Sequence, residues 1–311
     1  MHLKGGLTLT HPRNSGKADA LPGVRSGAPA DAGANRQEGY AVESQTIDPR
    51  EGPLISLVLP AFNPGPLVES TWRRVCDFMR DKGQAWEILF VCDGCTDGTA
   101  ERLARLNREA NSPIRVLSYE KNQGKGYAVR HGMLAARGHY RLFTDVDLAY
   151  DFDDVERIAF SLRGGADVAI ASRTHPDSRL IMPPHLQGYA YRRHLQSKVF
   201  SWIVRVLLTL PPYDTQAGLK GMTARAARSL LPPLSCNGFG FDCELLSSCV
   251  RAGLKIAEIP VSVRFEDGAS TTGFRAAQRM LAEIWRVRRS QNSTLPPQMQ
   301  PPSQSDIAAA A

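Results

Sequence analysis

Carboxylates and a lysine stand where strand-length apolar runs end. Thr144-Asp145-Val146-Asp147-Leu148 closes a run that begins at Tyr140. In an extended segment, residues two apart project to the same side, which would aim Asp145 and Asp147 together. Two carboxylates with no His or Cys beside them suit a hard cation, Mg2+ or Mn2+, better than Zn2+. Such an ion keeps positions open for phosphate oxygens. A second apolar run ends in Cys92-Asp93-Gly94-Cys95-Thr96-Asp97-Gly98-Thr99, where Asp97 is placed to cap a helix. Gln123-Gly124-Lys125-Gly126 opens a helix-period segment but is not a P-loop: residue 119 is Tyr and Gly126 replaces the required Ser/Thr. A turn at a helix N-terminus beside a lysine still suits an anion. Cysteines 76, 236, 243 and 249 form no second C-x-x-C, so Cys92 and Cys95 read as incidental thiols rather than zinc ligands.

The elements that must position these groups follow a rhythm. Strand-length runs at Leu54–Leu59, Trp86–Cys92, Ile114–Ser118 and Tyr140–Thr144 alternate with helix-period segments near 66–81, 98–110 and 124–137. Such alternation predicts an α/β fold with a mainly parallel sheet covered by helices on both faces. Ligands of such sheets bind outside the carboxyl ends of the strands, where the polar clusters lie. The glycine triad of dinucleotide-binding folds is missing, because Pro60-Ala61-Phe62-Asn63 follows the first strand.

Composition sets the frame. With 42% hydrophobic and 22% charged residues in 311, the chain is neither globally disordered nor a disulfide scaffold. Residues 1–51 and 291–311 are rich in small, Pro and polar residues and read as disordered tails, leaving a single domain over 52–290. No apolar run is long enough to span a bilayer, and no secretory leader is visible at the start, so a cytoplasmic protein is expected. The net charge is +7, and its main concentration is residues 173–205, with six Lys/Arg against Asp177 alone. That segment is the expected anion-binding surface. The apolar stretch 199–210 beside it reads either as a packed helix or as one lying at a membrane face, with Arg286, Arg288 and Arg289 beside Trp285 adding attraction to anionic lipid. No zinc-finger spacing or aromatic RNA-binding motif accompanies the charge, so nucleic acid is not the expected partner.

The ordered set of motifs resembles the family 2 glycosyltransferases, and within them the dolichyl/polyprenyl-phosphate sugar synthases, nearest the glucosyl branch. It runs through Leu57–Asn63, Val91–Thr99, Asn122–Gly126 and Asp145–Leu148. Ala171-Ser172-Arg173, Arg193 with Ser197, Asp214–Lys220, Gly240–Leu245 and Glu258–Val261 complete it. The resemblance implies a GT-A fold and inverting transfer of a hexose, glucose by best match, from a nucleotide-diphospho-sugar such as UDP-glucose to a polyprenyl phosphate, with the protein peripheral on the cytoplasmic membrane face. By the same resemblance Pro60, Ala61, Asn63 and Asp93 would hold the nucleoside. Lys125 and Asp145 would place the diphosphate, and Asp147, with Asp145, would bind the divalent ion. Arg173, Arg193 and Ser197 would hold the acceptor phosphate, while Asp214 and Gln216 would line the reaction centre. The chain departs from the family pattern at Cys92, Cys95, Pro64-Gly65, Ala149 and Gly268-Ala269-Ser270.

Several roles stay open at this level. Asp214 is either a general base or a group that orients the acceptor. Asp242 and Glu244 either cap the helix expected over 241–252 or take part in the chemistry, and His131 and His185 read as structural or surface residues. A transferase acting on a saccharide or peptide hydroxyl, and a catalytically degenerate nucleotide-sugar-binding protein at a membrane, are the alternatives.

Overall fold

The computed structural model describes residues 53–82, 85–181, 203–211, 213–264 and 274–293. Most of both segments read as tails lies outside the described residues, as do His185, Arg192, Arg193, Ser197, Lys198 and residues 268–270.

The expected rhythm forms. Strands β1 (Ile55–Ala61), β2 (Trp86–Asp93), β3 (Arg115–Tyr119) and β4 (Tyr140–Phe143) alternate with helices α1 (Leu67–Lys82), α2 (Thr99–Glu109) and α3 (Lys125–Ala135). Then come α4 (Phe152–Arg163), β5 (Val168–Ser172), β6 (Arg179–Ile181), a short helix α5 over 203–208 and β7 (Lys220–Thr223). The chain continues through α6 (Ala224–Leu230), α7 (Phe241–Arg251), β8 (Ile256–Pro260), β9 (Ser262–Arg264) and α8 (Phe274–Ser293). Seven strands form one sheet in the order β3-β2-β1-β4-β7-β5-β8, and β6 pairs with β9 separately. Every pairing in the large sheet is parallel except those of β7, which runs antiparallel to both β4 and β5.

Strands β1 and β2 are buried along their whole length because both faces are covered. Successive residues alternate between two cores. Val58, Leu89 and Val91 pack with α3, α6, α7 and α8, whereas Leu57, Leu59, Ile88 and Phe90 pack with α1, α2 and α4. Helix α3 lies close against the sheet because residue 132 is glycine, and a Cβ there would collide with Val58. The 203–208 helix turns Val204 and Leu208 into the first core and leaves Val206 exposed, so the stretch 199–210 packs onto the fold over its described part.

At the amino ends of the strands, opposite the polar clusters, Glu87 is buried and ties four segments together. It accepts hydrogen bonds from Ser56 Oγ (2.6 Å) and Arg137 N (2.8 Å) and is ion-paired with Arg115. Burial alone would raise the carboxyl's pKa, but the donors at Arg137, Ser56 and Arg115 outweigh it and hold the pKa below its usual range. A depressed folded-state pKa stabilises the protein above the unfolded value of about 4.3, and that stability is lost as pH falls through the folded value. Glu87→Gln is therefore expected to cost about 1–3 kcal/mol at pH 7, with the gap to wild type closing below about pH 4. Urea unfolding midpoints measured across pH 3–8 check both parts.

Candidate active site

The order β3-β2-β1-β4 makes the crevice between β1 and β4 the topological switch point of the parallel half, where such sheets bind ligands. Strand β7 adds a second supply of groups. Because it runs antiparallel beside β4, the segment 214–218 that precedes it arrives at the same edge as the residues that follow β4. The fold thus brings together Lys125, Asp145, Asp147, Tyr150, Arg173, Asp214 and Gly218, residues spread over ninety positions of sequence.

On the β1–β2 side the loops are sewn to each other. Pro60 and Ala61 end β1 in register with Val91 and Cys92. Asn63, exposed and in the left-handed region (φ 47°), accepts from Thr96 N at 2.8 Å, while its own N–H donates to Cys95 Sγ (3.4 Å). The Cys95 thiol donates to Ala61 O (3.3 Å), so this cysteine bridges the two loops. Asp97 accepts from Thr99 N, Thr99 Oγ and Gly65 N, which fastens the start of α2 to the β1–α1 loop. These bonds outweigh the effect of burial and hold the Asp97 carboxyl below its ordinary pKa.

Asp93 is buried and serves the loop before α3. Its Oδ1 accepts from Gln123 N (2.7 Å), and its Oδ2 accepts from Gly124 N (2.9 Å) and Asn122 Nδ2 (3.0 Å). Two further amides of that helix end, Gly126 N and Tyr127 N, donate to Asn237 O at 2.8 and 3.3 Å. Four of the backbone donors at this turn are therefore filled by the protein. Lys125 Nζ lies 2.6 Å from Asp145 Oδ1. Burial disfavours its charge, but the Asp145 and Asp242 carboxylates outweigh this and push its pKa above the ordinary value.

Asp145 and Asp147 do not sit in the extended geometry expected of them. Leu148 N donates to Asp145 O (3.0 Å) and Leu148 takes a left-handed φ of 49°, so the pair is carried on a tight turn. Thr71 Oγ from α1 holds that turn by donating to Val146 O (2.6 Å). Asp147 is exposed, and its Oδ1 accepts from Ala149 N (3.1 Å). Desolvation within the loop and the neighbouring Asp145 charge raise the Asp147 pKa, the unfavourable pairing that a cation would relieve. The donor set is oxygen only, which fits Mg2+ or Mn2+. Among the described residues no three His, Cys, Asp or Glu side chains converge on one point, so an ion here would draw further oxygens from a ligand. The buried Thr144 hydroxyl beside Asp145 has no partner among the described residues.

Across the edge, Arg173 and Asp214 form a two-point pair. Nε donates to Oδ2 and Nη2 to Oδ1, both at 2.8 Å, and Arg173 N adds a bond to Oδ2 (3.0 Å). Asp214 is buried, which alone would raise its pKa, but the Arg173 guanidinium dominates and holds it below the carboxylate range. A carboxylate so stabilised is a weak proton acceptor and a strong orienting group. Nη1 of Arg173 is left uncommitted among the described residues.

The remaining expected residues have plain locations. Gln216 Nε2 donates to the buried Cys243 Sγ (3.1 Å). Asp242 neither caps α7 nor faces solvent but pairs with the fully buried Lys220 (2.7 Å). Glu244 accepts from Ser235 N and Oγ and from Cys236 N, holding that turn to α7. His131 is exposed and stacks on Tyr127. Tyr150 went unnoticed in the sequence; the available signal was an aromatic residue in the polar loop directly after the Asp pair. It is buried, its Oη accepts from Gly218 N (3.2 Å), and burial pushes its phenol up to about 12.

Comparison with known proteins gives the family and the fold. The profile of the family described as Glycosyl transferase family 2 matches residues 56–203. The dolichyl-phosphate beta-glucosyltransferase of Saccharomyces cerevisiae is 30% identical over 232 residues, 69% of this chain and 68% of that protein. Its counterpart from Dictyostelium discoideum is 29% identical over 252 residues, 78% of this chain and 76% of the other. Among solved structures, glucosyl-3-phosphoglycerate synthase from Mycobacterium tuberculosis, in complex with Mn2+, UDP and phosphoglyceric acid, superposes with a TM-score of 0.54 at 19% identity, covering 77% of this chain and 80% of that one. The architecture is thus the GT-A fold expected from the motifs.

The Asp93 contacts yield a direct test. Asp93→Ala strips the acceptor from Gln123 N, Gly124 N and Asn122 Nδ2 and is expected to cost about 2–3 kcal/mol. It should also loosen the start of α3 that carries Lys125, seen as faster amide hydrogen exchange over residues 122–127. Denaturant unfolding measures the first effect.

Proposed function

This chain belongs to the family 2 glycosyltransferases, and we propose that it moves glucose from UDP-glucose to the phosphate of a polyprenyl lipid. The observation that carries the acceptor assignment is the Arg173–Asp214 pair. A hydroxyl nucleophile must lose a proton and needs a base near neutral pKa. A phosphate monoester has its second pKa near 6 and is largely ionised already. It needs cations fixed in place, which is what a guanidinium locked by a low-pKa carboxylate provides. The dolichyl-phosphate glucosyltransferases that resemble this chain point to the same acceptor class.

In this reading Asp214 orients Arg173, and Nη1, uncommitted among the described residues, meets an acceptor phosphate oxygen. Arg193 and Ser197, outside the described residues, would complete that phosphate site. Pro60, Ala61 and Asn63 form the rim for the nucleoside. Asp93 acts behind them by holding the loop that carries Lys125. Lys125 faces the donor diphosphate, with Asp145 keeping its ammonium charged and aimed. Asp145 and Asp147 are the residues that would hold Mg2+ or Mn2+. When bound, the ion would supply positive charge to the phosphoryl oxygens of the leaving nucleoside diphosphate. Attack from the face opposite the leaving group gives inversion at the sugar carbon.

The acceptor is a membrane lipid, and no helix among the described residues is long and apolar enough to cross a membrane. We place the protein peripherally at the cytoplasmic membrane face. Exposed Val206 and Trp285, the latter stacked with Arg289 (3.7 Å from guanidinium to ring centroid), support that placement.

Purified protein with Mn2+ or Mg2+ is expected to glucosylate a polyprenyl phosphate, seen as a hexose mass increment in a screen of nucleotide sugars and acceptors. Transfer to no polyprenyl phosphate from any donor would overturn the reading. Asp214→Asn is expected to lower kcat/KM by roughly a hundredfold through the misplaced Arg173, with the acidic limb of the pH–rate profile unmoved. A displaced limb would identify Asp214 as a base and the acceptor as a hydroxyl.

A further inference from the structure

Asp145 is held on both oxygens by different parts of the chain. Lys125 Nζ meets Oδ1 at 2.6 Å. The other oxygen rests against Gly218, where a Cβ would collide with Oδ2. Gly218 belongs to the segment that carries Asp214 and Gln216, and its own N–H donates to Tyr150 Oη (3.2 Å). The Tyr150 ring packs beside the same glycine, 3.6 Å from where a Cβ would stand, and its backbone bridges Val263 in the middle of β9. Tyr150 therefore joins three pieces: the turn bearing Asp145 and Asp147, the 214–218 segment, and the small β6–β9 sheet.

We propose that Tyr150 is a positioning residue for glycosyl transfer: through its hydrogen bond to Gly218 it sets the separation between Asp145 and the segment bearing Asp214. The residue touches no reacting atom in this scheme. Its hydroxyl acts as a peg that holds the glycine backbone against the Asp145 carboxylate. Removing the hydroxyl leaves the buried Gly218 N–H unpaired and frees the segment to shift away from the carboxylate. Misplacement by about an ångström is enough to cost a hundredfold in rate. The effect should fall on donor binding and on the chemical step, because Asp145 lies on the donor side. The shift falls on the Gly218 end of the segment; Asp214, four positions earlier, stays tied to Arg173 by three hydrogen bonds of its own, so acceptor binding should change little. This inference rests on the reading of the edge as a nucleotide-sugar site.

The test is Tyr150→Phe, which keeps the ring and its packing and deletes only the oxygen. Expected are a fall in kcat of roughly ten- to a hundredfold, a several-fold weaker calorimetric affinity for UDP with Mn2+, and an unchanged acceptor KM. Hydrogen exchange at the Gly218 amide should accelerate selectively. Gly218→Ala should reproduce the donor-side loss, and the double variant should be no worse than the poorer single one. If Gly218→Ala does not fold, the kinetic split and UDP affinity of Tyr150→Phe decide alone. Wild-type kcat and UDP affinity in Tyr150→Phe, with only a lowered melting temperature, would overturn the proposal and leave the functional reading intact. Equal loss on donor and acceptor KM would also overturn it. A wild-type protein that neither binds UDP nor transfers sugar would remove the functional reading and this inference together.

Discussion

A fully buried ammonium near the middle of the sheet constrains everything around the active edge. Lys220 opens β7, between β4 and β5, and no water reaches it. A charge so placed must be paired and hydrogen-bonded or it costs several kcal/mol. Asp242 supplies the pairing at 2.7 Å, Ala217 O accepts at 2.5 Å, and the Phe143 ring lies beneath. Those contacts fix where α7 begins and how the 214–218 segment turns into the strand. They also place Asp242 within electrostatic reach of Lys125, and Lys220 within reach of Asp214.

The result is a line of alternating charge along the strand ends: Arg173, Asp214, Lys220, Asp242, Lys125, Asp145. The direct pairs are Arg173–Asp214, Lys220–Asp242 and Lys125–Asp145, each below 3 Å. Alternation lets three cations lie near one another, Lys220 within the core and the others at the edge, with each balanced by a carboxylate. It also means that no member can be neutralised without exposing its neighbours to unbalanced charge. Four backbone amides at the start of α3, those of Gln123, Gly124, Gly126 and Tyr127, are withdrawn into contacts with Asp93 and Asn237. The charged side chains that stand beside them at this edge are Lys125 and Arg173. Their reach and orientation are set by carboxylate partners rather than by the helix end itself.

This division explains what could be read from the sequence. Strands β1, β2 and β4 were legible because burial on both faces makes each a short, mostly apolar run, and the intervening helices keep their own period; β3, half-buried at the sheet edge, showed itself by the short run Ile114–Leu117 between two helices. β7 was not legible as a strand: Lys220-Gly221-Met222-Thr223 has neither the run nor the alternation, and its burial depends on a carboxylate twenty-two positions later. Its direction, which delivers Asp214 to the edge, is likewise a property of the assembled sheet. The Asp145-x-Asp147 pair was legible in type but not in shape, because the left-handed Leu148 that creates the turn is a residue for which sequence offers no such expectation. Asp97 was legible as the residue that fastens the start of α2, but the partners of Asp93 were not. Only the path of the β3–α3 loop shows that Asp93 is the carboxylate that holds it.

The departures from the family pattern can be read in the same terms. Cys95 stands where the resemblance would put a serine, yet its thiol does a hydroxyl's work, donating to Ala61 O while accepting from Asn63 N. Sulfur is larger and its hydrogen bonds are longer, 3.3 and 3.4 Å here, so the two loops stay joined with slightly more room between them. Cys92, where an acidic residue would be usual, is buried in the core shared with Leu59 and Phe90. A second carboxylate at that position would stand unpaired beside Asp93, whose own oxygens are already taken up by the 122–124 loop. The thiol removes that charge and leaves Asp93 as the single anion of the β2 end.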